Sequence, residues 1–337
     1  MRLSGIAQAI AAKSVNYRDV MVPQSGVRWE LNDGLAVTAE GETWTLNAHS
    51  MTQAANLVDV SESTIANLIR HDAGDELVSL LNKATANTDK RNRKLLFRTD
   101  GSSLRAVLTD RYSVVDNKEV VNRLMELVGD VDTFRYTYKH DILSIYLKAN
   151  DNQHTLPDGT VVTPTALVTN SEIGNRNLSL FAGIFRFICT NGLVIPVGAG
   201  SSIMRKTPHL GKANERFYSL LESGTKAMAD FDGTYLDEQF KKPIAHADKF
   251  FANVAEQYKI SAKVIGDIVR TYRLYQCHPS LFGAVDAMTR FGQRTDDPES
   301  WDVMAGQMST LSKSTVDQYS TTVPKSARKK YEAVLSL

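Results

Sequence analysis

The hydrophobic pattern of this 337-residue chain changes its period twice. Residues 51–84 place apolar side chains at helical spacing, residues 94–190 contain runs that alternate with the period of a β-strand, and helical spacing returns from residue 215. Strands grouped in one block indicate an α+β fold without repeated βαβ units. The sequence therefore predicts a central antiparallel β-sheet flanked by an N-terminal helical segment and a helical C-terminal third. The predicted boundaries are 1–84 for N-terminal strands and a helical lead-in, 85–212 for the β-rich core and 213–337 for the helical region.

The composition is typical of a globular protein with a hydrophobic core, since 42% of the residues are apolar and 23% are charged. The net charge is +1, so affinity for a polyanion has to come from local clusters. Two cysteines, Cys189 and Cys277, are too few for a disulfide framework. The N-terminus reads as a short amphipathic helix and not as a signal peptide. No apolar stretch approaches the ~18 residues of a membrane span, so we expect a cytoplasmic protein that does not enter a membrane.

One cluster of cations departs from the overall charge balance. Only three aspartates oppose eight cations within residues 83–111, and these cations are Lys83, Lys90, Arg91, Arg93, Lys94, Arg98, Arg105 and Arg111. Cations that neutralise phosphates release counterions, which gives affinity for nucleic acid of any sequence. The alternative is a solvated hairpin whose charges protect a sheet edge from aggregation.

Aromatic residues on a neighbouring predicted strand could complete such a surface. Phe134, Tyr136 and Tyr138 alternate with Arg135 and Lys139. Aromatic rings can stack on bases of any sequence, although the same residue types also suit ordinary packing within a sheet. We expect Tyr112, Tyr136 or Tyr138 to stack on bases. A glycine- and serine-rich stretch would add a basic rim, formed by Arg205, Lys206 and His209.

Evidence for catalysis is weak in this sequence. The seven histidines are scattered, and no nucleotide-binding or nucleophile motif is present, so no catalytic residue, metal or cofactor is predicted. An enzyme using Asp110, Asp116 or Glu172 as metal ligands is a competing hypothesis, although Asp116 could equally cap the following helix. Arg186 lies within an apolar strand, and an ion pair with Glu172 would satisfy it. Cys189 is expected to be a buried apolar residue.

Four segments resemble the motifs of a known family. They are residues 104–117 (LRAVLTDRYSVVDN), 171–174 (SEIG), 185–193 (FRFICTNGL) and 284–290 (AVDAMTR). Together they are similar to a phage, prophage and plasmid family catalogued as domain of unknown function 932, with a resemblance spanning roughly residues 50–310. Genes of this family often accompany replication and recombination functions. The resemblance therefore implies a role in DNA metabolism and, for a phage-encoded protein, a location in the host cytoplasm.

The sequence favours a non-enzymatic protein that binds single-stranded nucleic acid, with DNA favoured over RNA. It would act as a homo-oligomer, and single-strand annealing is one activity that such a protein could have. The predicted contact residues are Lys90, Arg91, Arg93, Lys94, Arg98, Arg105, Arg111, Tyr112, Arg135, Tyr138, Arg205 and Lys206. The alternative is an interaction protein or inhibitor that binds a host protein through its helical C-terminal third, where Tyr272, Tyr275 and Phe282 would form the contact surface.

Overall fold

A computed structural model of the chain describes residues 1–31, 34–57, 59–87, 93–139, 141–148, 153–186, 204–207, 210–230, 232–295 and 298–336. The fold is α+β, as predicted from the sequence. The first elements in chain order are α1 (Leu3–Lys13), β1 (Tyr17–Pro23), a 3₁₀ turn (Gln24–Gly26), β2 (Arg28–Leu31), β3 (Leu35–Ala39), β4 (Glu42–Leu46), α2 (Ala48–Leu57), α3 (Glu62–Arg70) and α4 (Gly74–Asn87). They are followed by β5 (Lys94–Asp100), β6 (Ser103–Thr109), α5 (Asn117–Val128), β7 (Thr133–Lys139), β8 (Ile142–Lys148), β9 (His154–Thr155), β10 (Val161–Ser171), β11 (Leu178–Arg186) and β12 (Met204–Thr207). The helical C-terminal region consists of α6 (Ala213–Ala229), α7 (Thr234–Phe240), α8 (Ala247–Gln257), α9 (Ala262–Leu274), α10 (Leu281–Gly292), α11 (Pro298–Ser309), α12 (Lys313–Thr321), α13 (Lys325–Lys330) and α14 (Glu332–Leu335).

The first sheet has the strand order β1-β5-β6-β4-β3-β2. Its pairs are antiparallel except β4 and β6, which run parallel. The predicted hairpin of β5 and β6 is confirmed, and Gly101 supplies the positive φ of +55° in its turn. This sheet contains strands from both sides of the predicted boundary between residues 84 and 85, because β1 pairs with β5.

The second sheet has the strand order β12-β11-β10-β8-β7, with β9 paired to β10. The predicted hairpin of β7 and β8 is confirmed. The sequence suggested one central sheet, whereas the described residues form two. The difference arises because the hydrophobic period of a strand does not indicate which distant strand it pairs with.

Each sheet packs against its own helices. Trp44 and Phe97 meet edge to face in the core between the first sheet and α2–α4, with ring centroids 5.7 Å apart. Ile6, Leu124 and Phe217 bring α1, α5 and α6 onto the second sheet. The C-terminal helices surround a third core. None of the helices within the described ranges is long and apolar enough to span a membrane.

Tyr272 and Phe282 belong to that third core and do not form a surface. Tyr272 is 8% exposed and Phe282 is fully buried. Almost the whole of α10 is buried, including Val285 and Met288, which belong to the same core. The predicted protein-binding cluster of Tyr272, Tyr275 and Phe282 therefore keeps only Tyr275 at the surface.

Candidate functional site

Arg98 of β5 lies at a buried junction between the two sheets. It is 4% exposed, and all three guanidinium nitrogens have partners. Nε donates to Asp19 of β1 at 2.9 Å, Nη1 donates to the backbone oxygen of Glu172 at 2.8 Å, and Nη2 donates to Asp116 at 2.5 Å. One side chain thus joins β1, the start of α5 and the end of β10.

Arg105 of β6 is the second cation of this junction and is also 4% exposed. Its Nη2 lies 2.6 Å from Glu172 and 3.0 Å from Asp141, and its guanidinium lies 3.3 Å from the centroid of the Tyr17 ring. Burial alone would lower the pKa of Arg105, but hydrogen bonds and charge interactions with Asp141 and Glu172 raise it above its ordinary value. Its Nη1 is buried and has no hydrogen-bond partner among the described residues.

The junction corrects two sequence predictions. Arg98 and Arg105 were expected to hold phosphates at the surface, but both are buried and bound to carboxylates. Glu172 pairs with Arg105, and the predicted partner of Glu172, Arg186, has a side chain that lies outside the described part of the structure. Buried guanidiniums need such partners, because an uncompensated charge in the interior is costly.

Glu172 also caps a helix from a distant segment. Its Oε1 accepts a hydrogen bond from the backbone N–H of Asn117, the first residue of α5, at 2.8 Å. Asp116 occupies the N-cap position but makes no capping bond there, since its carboxylate binds Arg98. The predicted cap by Asp116 is therefore wrong, and Glu172 takes its place. Burial raises the pKa of Glu172 despite these donors.

The turn that follows Glu172 is held by helix α2. His49 Nε2 and Gln53 Nε2 lie 3.0 and 2.7 Å from the carbonyl oxygen of Ile173. Gly174 then adopts a φ of +71°, and a Cβ atom there would lie 2.9 Å from Leu108. Residues 104–117 and 171–174, which carried the family resemblance, are thus two halves of one structural junction.

Sequence reasoning missed several residues of this junction, namely Tyr17, Asp19, His49, Gln53 and Asp141. A signal was available for Arg98, because it follows Leu95, Leu96 and Phe97 in a strand without polar alternation. Such runs are buried on both faces. Arg98, like Arg186, lies within an apolar strand and therefore needs a partner if it is buried.

Three other cations of the predicted set lie where β5 begins and β6 ends. We call Arg93, Lys94 and Arg111 the basic edge. Lys94 and Arg111 are exposed and Arg93 is half-buried. The strand pairing brings them together, because Asp110 N donates to the backbone oxygen of Lys94 at 3.3 Å. Within the described ranges, no carboxylate oxygen lies within 4.0 Å of these three side chains.

A groove open to solvent adjoins the basic edge. It is lined by residues 110–113 on one side and by Leu210 and Gly211 on the other. Tyr112 pairs with Leu210 in an isolated β-bridge, and its hydroxyl donates to the backbone oxygen of Ser171 at 3.0 Å. Leu210 and Gly211 therefore lie across the groove from Arg111.

The other predicted contact residues are distributed over the molecule. Lys90 and Arg91, like His209, lie outside the described residues. Arg205 and Lys206 lie on the edge strand β12, and their side chains are not described. Arg135 and Tyr138 lie on β7, the opposite edge of the second sheet.

The rings predicted to stack on bases are largely engaged in the fold. Lys13 Nζ lies 4.2 Å from the centroid of the Tyr138 ring, and the Tyr138 hydroxyl donates to Asp141 at 3.4 Å. Tyr136 packs against the core of the second sheet. Arg135 is exposed and donates to Gln293 at 3.3 Å. The structure thus brings Tyr112 to the basic edge and places Arg135, Tyr136 and Tyr138 elsewhere.

The carboxylates proposed as metal ligands have other partners or lie apart. Asp116 and Glu172 bind guanidinium groups, whereas Asp110 is exposed beside the groove. In the part of the chain that the structure describes, no group of three or more His, Cys, Asp or Glu side chains is arranged to hold a metal ion.

Comparison with known proteins identifies a matching family, and the family's description names no function. Residues 105–261 match the model of the family described as Domain of unknown function (DUF932). No curated protein and no solved structure is significantly similar to the chain. The match begins at Arg105 and includes Asp116, Asp141 and Glu172, so much of the buried junction lies within it. The family resemblance is thereby confirmed over residues 105–261.

Proposed function

We propose that the basic edge binds the phosphate backbone of single-stranded nucleic acid, with DNA favoured over RNA. The protein would act without catalysis, as a cytoplasmic homo-oligomer, in recombination or replication. One observation carries the proposal. The fold collects Arg93, Lys94 and Arg111 at one exposed place and leaves them without carboxylate partners among the described residues, while the neighbouring cations Arg98 and Arg105 are neutralised in the interior.

The sequence around the basic edge extends its charge. Residues 83–94 contain five cations and a single aspartate. Lys83 is exposed on α4, which contacts the 3₁₀ turn, and Gln24 of that turn donates its backbone N–H to Arg93 O at 2.9 Å. A positive cluster of this kind supports affinity that depends on phosphates and not on base sequence.

The groove beside Arg111 supports a single strand in preference to a duplex. Its walls are short backbone segments, 110–113 and 210–211, and half-buried Tyr112 lies between the cations and the second sheet. A flexible strand can follow such a groove along a charged path. The preference for DNA rests on the genetic associations that the family resemblance implies.

A salt titration of binding to a labelled oligonucleotide tests the proposal. The variant Arg93→Ala/Lys94→Ala/Arg111→Ala removes three phosphate contacts. Each contact contributes about 0.7 to the slope of log affinity against log salt concentration for single strands, so the slope should become shallower by about 2. Affinity should fall for all base sequences alike.

A charge-matched control separates local contacts from net charge. Arg123→Ala/Lys241→Ala/Lys330→Ala also removes three exposed cations, but each of these is paired with a glutamate, at 2.6 Å for Lys241 and 3.1 Å for Lys330. This control should bind almost as the wild type does. Failure of the wild-type protein to bind any oligonucleotide at low salt would refute the proposal, as would equal losses in both triple variants.

A further inference from the structure

The groove beside the basic edge combines a cation, a carboxylate and an apolar residue. It offers a volume of about 530 Å³, and its lining includes Arg111, Asp110 and Leu210, all three of them exposed. Small-molecule sites commonly enclose roughly 300–1,000 Å³, so the groove has room for one nucleotide. Because Arg111 belongs to both the groove and the basic edge, a strand held by the basic edge passes the groove.

Leu210 adds an exposed apolar residue to the groove. Its backbone is fixed by the β-bridge to Tyr112, yet Leu210 is 50% exposed. Gly211 follows with a φ of +59° and adds no side chain to this wall. An exposed leucine across the groove from an exposed arginine matches a nucleotide, whose sugar and base offer apolar surface beside a charged phosphate.

The carboxylate of Asp110 is not expected in a groove that binds only phosphate. Asp110 is exposed, and no cation among the described residues lies within 4.0 Å of its carboxylate. The acidic residues closest in sequence to the two walls do have cationic partners, because Asp116 binds Arg98 and Glu215 lies 3.0 Å from Lys212. A carboxylate repels phosphate but accepts hydrogen bonds from the N–H groups of a base.

Guanine is the base that suits a carboxylate best. Its N1–H and its 2-amino group point in the same direction, so one carboxylate can accept from both, as it does from the two parallel N–H groups of an arginine. Thymine presents one N–H between two carbonyl oxygens, and these oxygens repel a carboxylate. The bases of a single strand expose these edges, because no complementary strand covers them.

We propose that the groove holds one nucleotide of the bound strand, with its phosphate at Arg111, its sugar and base against Leu210, and the hydrogen-bond donors of a guanine base at Asp110. This inference rests on the proposed function and adds a base preference to it. The base contacts come from Leu210 and Asp110, whereas Tyr112 is half-buried and anchors its wall of the groove by donating to the backbone oxygen of Ser171 at 3.0 Å.

Fluorescence anisotropy with three labelled DNA strands of equal length tests the inference. One strand contains only thymine, the second alternates thymine with guanine, and the third replaces each guanine with inosine, which lacks the 2-amino group. The wild type should bind the guanine strand about 5-fold more tightly than the thymine strand, the lower end of discrimination by a bidentate contact, because the groove is open to solvent. The inosine strand should lose most of this advantage.

Asp110→Asn separates recognition of the base from simple repulsion of phosphate. The variant should bind the guanine and thymine strands equally, because an amide offers one acceptor and one donor to the two adjacent donors of guanine. A carboxylate that only repels phosphate would instead give equal affinities in the wild type and a gain for both strands in the variant. Leu210→Ala should weaken binding of both strands about 2- to 5-fold, because apolar contact is lost.

Two matched controls remove the same side chains elsewhere. Asp317→Asn removes another exposed carboxylate, and Leu274→Ala removes a leucine that is 72% exposed; neither should change the affinity for any strand. Equal affinity of the wild type for the guanine and thymine strands overturns the inference, as does a guanine preference that survives in Asp110→Asn or wild-type affinity in Leu210→Ala. In each of these cases the basic edge stands if its triple variant is impaired, whereas a wild-type protein that binds no strand removes both proposals.

Discussion

Replacing Arg105 with methionine tests whether the buried junction depends on charge. Methionine keeps an unbranched apolar side chain of similar length, so packing changes little while the guanidinium is lost. The substitution leaves Glu172, 3% exposed, and Asp141 without the cation that lies 2.6 and 3.0 Å from them.

The expected loss of stability is large. Removing one partner of a buried ion pair typically costs about 3–5 kcal/mol, because the remaining charge is uncompensated. Loss of the contact between Arg105 and the Tyr17 ring at 3.3 Å adds roughly 1 kcal/mol, and Lys13, 3.9 Å from Asp141, offsets part of the total. We expect the free energy of unfolding to fall by about 3–5 kcal/mol at pH 7, which is a substantial part of the stability of an ordinary domain.

The deficit should grow with pH. Burial already raises the pKa of Glu172 above its ordinary 4.5, and loss of Arg105 removes groups that oppose this shift. A carboxyl group with a raised pKa in the folded state adds stability below its unfolded pKa and loses it as the pH rises through the folded value. The variant should therefore be closest to the wild type near pH 4.5 and furthest from it at neutral pH.

Urea unfolding followed by circular dichroism and tryptophan fluorescence measures the effect. The double variant Arg105→Met/Glu172→Gln should recover at least half of the lost unfolding free energy. The glutamine oxygen can still accept a hydrogen bond from Asn117 N, and Asp141 is then the one carboxylate left from the two that Arg105 contacts. Arg123→Met, which breaks an exposed pair with Glu126, should leave the free energy of unfolding almost unchanged. A loss below about 1 kcal/mol for Arg105→Met, or no recovery in the double variant, would refute the reasoning.

Three further predictions concern the backbone and one tyrosine. Gly174→Ala should lower the free energy of unfolding by about 1–3 kcal/mol in urea titrations, because its φ of +71° and a Cβ contact of 2.9 Å with Leu108 disfavour any side chain; an unchanged midpoint would contradict this. Burial raises the pKa of Tyr17 to about 12, so the stability that its raised pKa contributes is complete below the ordinary pKa of 10.0 and is lost as the pH rises through about 12. The difference in ultraviolet absorbance between the wild type and Tyr17→Phe should therefore show the ionisation of Tyr17 near pH 12. Ionisation near pH 10.0 would contradict this prediction. Gly283→Ala should lower the melting temperature, because its Cβ would lie 1.9 Å from the His278 carbonyl oxygen. Gly266→Ala should raise the melting temperature, because no atom lies within 4 Å of its Cβ and alanine favours a helix over glycine. Equal shifts in the two variants would show that the space around the added Cβ does not determine the change in melting temperature.

Local features of the fold were predictable from the sequence. The β5–β6 and β7–β8 hairpins and helix α5 follow from alternation, turn residues and helical spacing over short stretches. The pairing of β1 with β5 and of β4 with β6 joins segments far apart in the chain, so no local pattern records it. The sequence therefore predicted one sheet where the described residues form two.

The candidate site was harder to predict, because a count of charges contains no information on burial. Arg98 and its partners Asp19 and Asp116 are 79 and 18 residues apart in sequence, and Arg105 is 67 residues from Glu172. Only the folded chain brings these opposite charges together. Among the cations of residues 83–111 that the structure describes, Arg98 and Arg105 are neutralised in the junction, whereas Arg93, Lys94 and Arg111 form the basic edge.

The matched region and the basic edge occupy largely different parts of the chain. The match spans residues 105–261 and contains Arg105, Asp116, Asp141 and Glu172 of the junction, whereas Arg93 and Lys94 precede it. A chain that matches the same region could thus keep the ion pair of Arg105 with Glu172 and still lack the basic edge. The match therefore does not bear on nucleic-acid binding, which has to be tested on Arg93, Lys94 and Arg111 themselves.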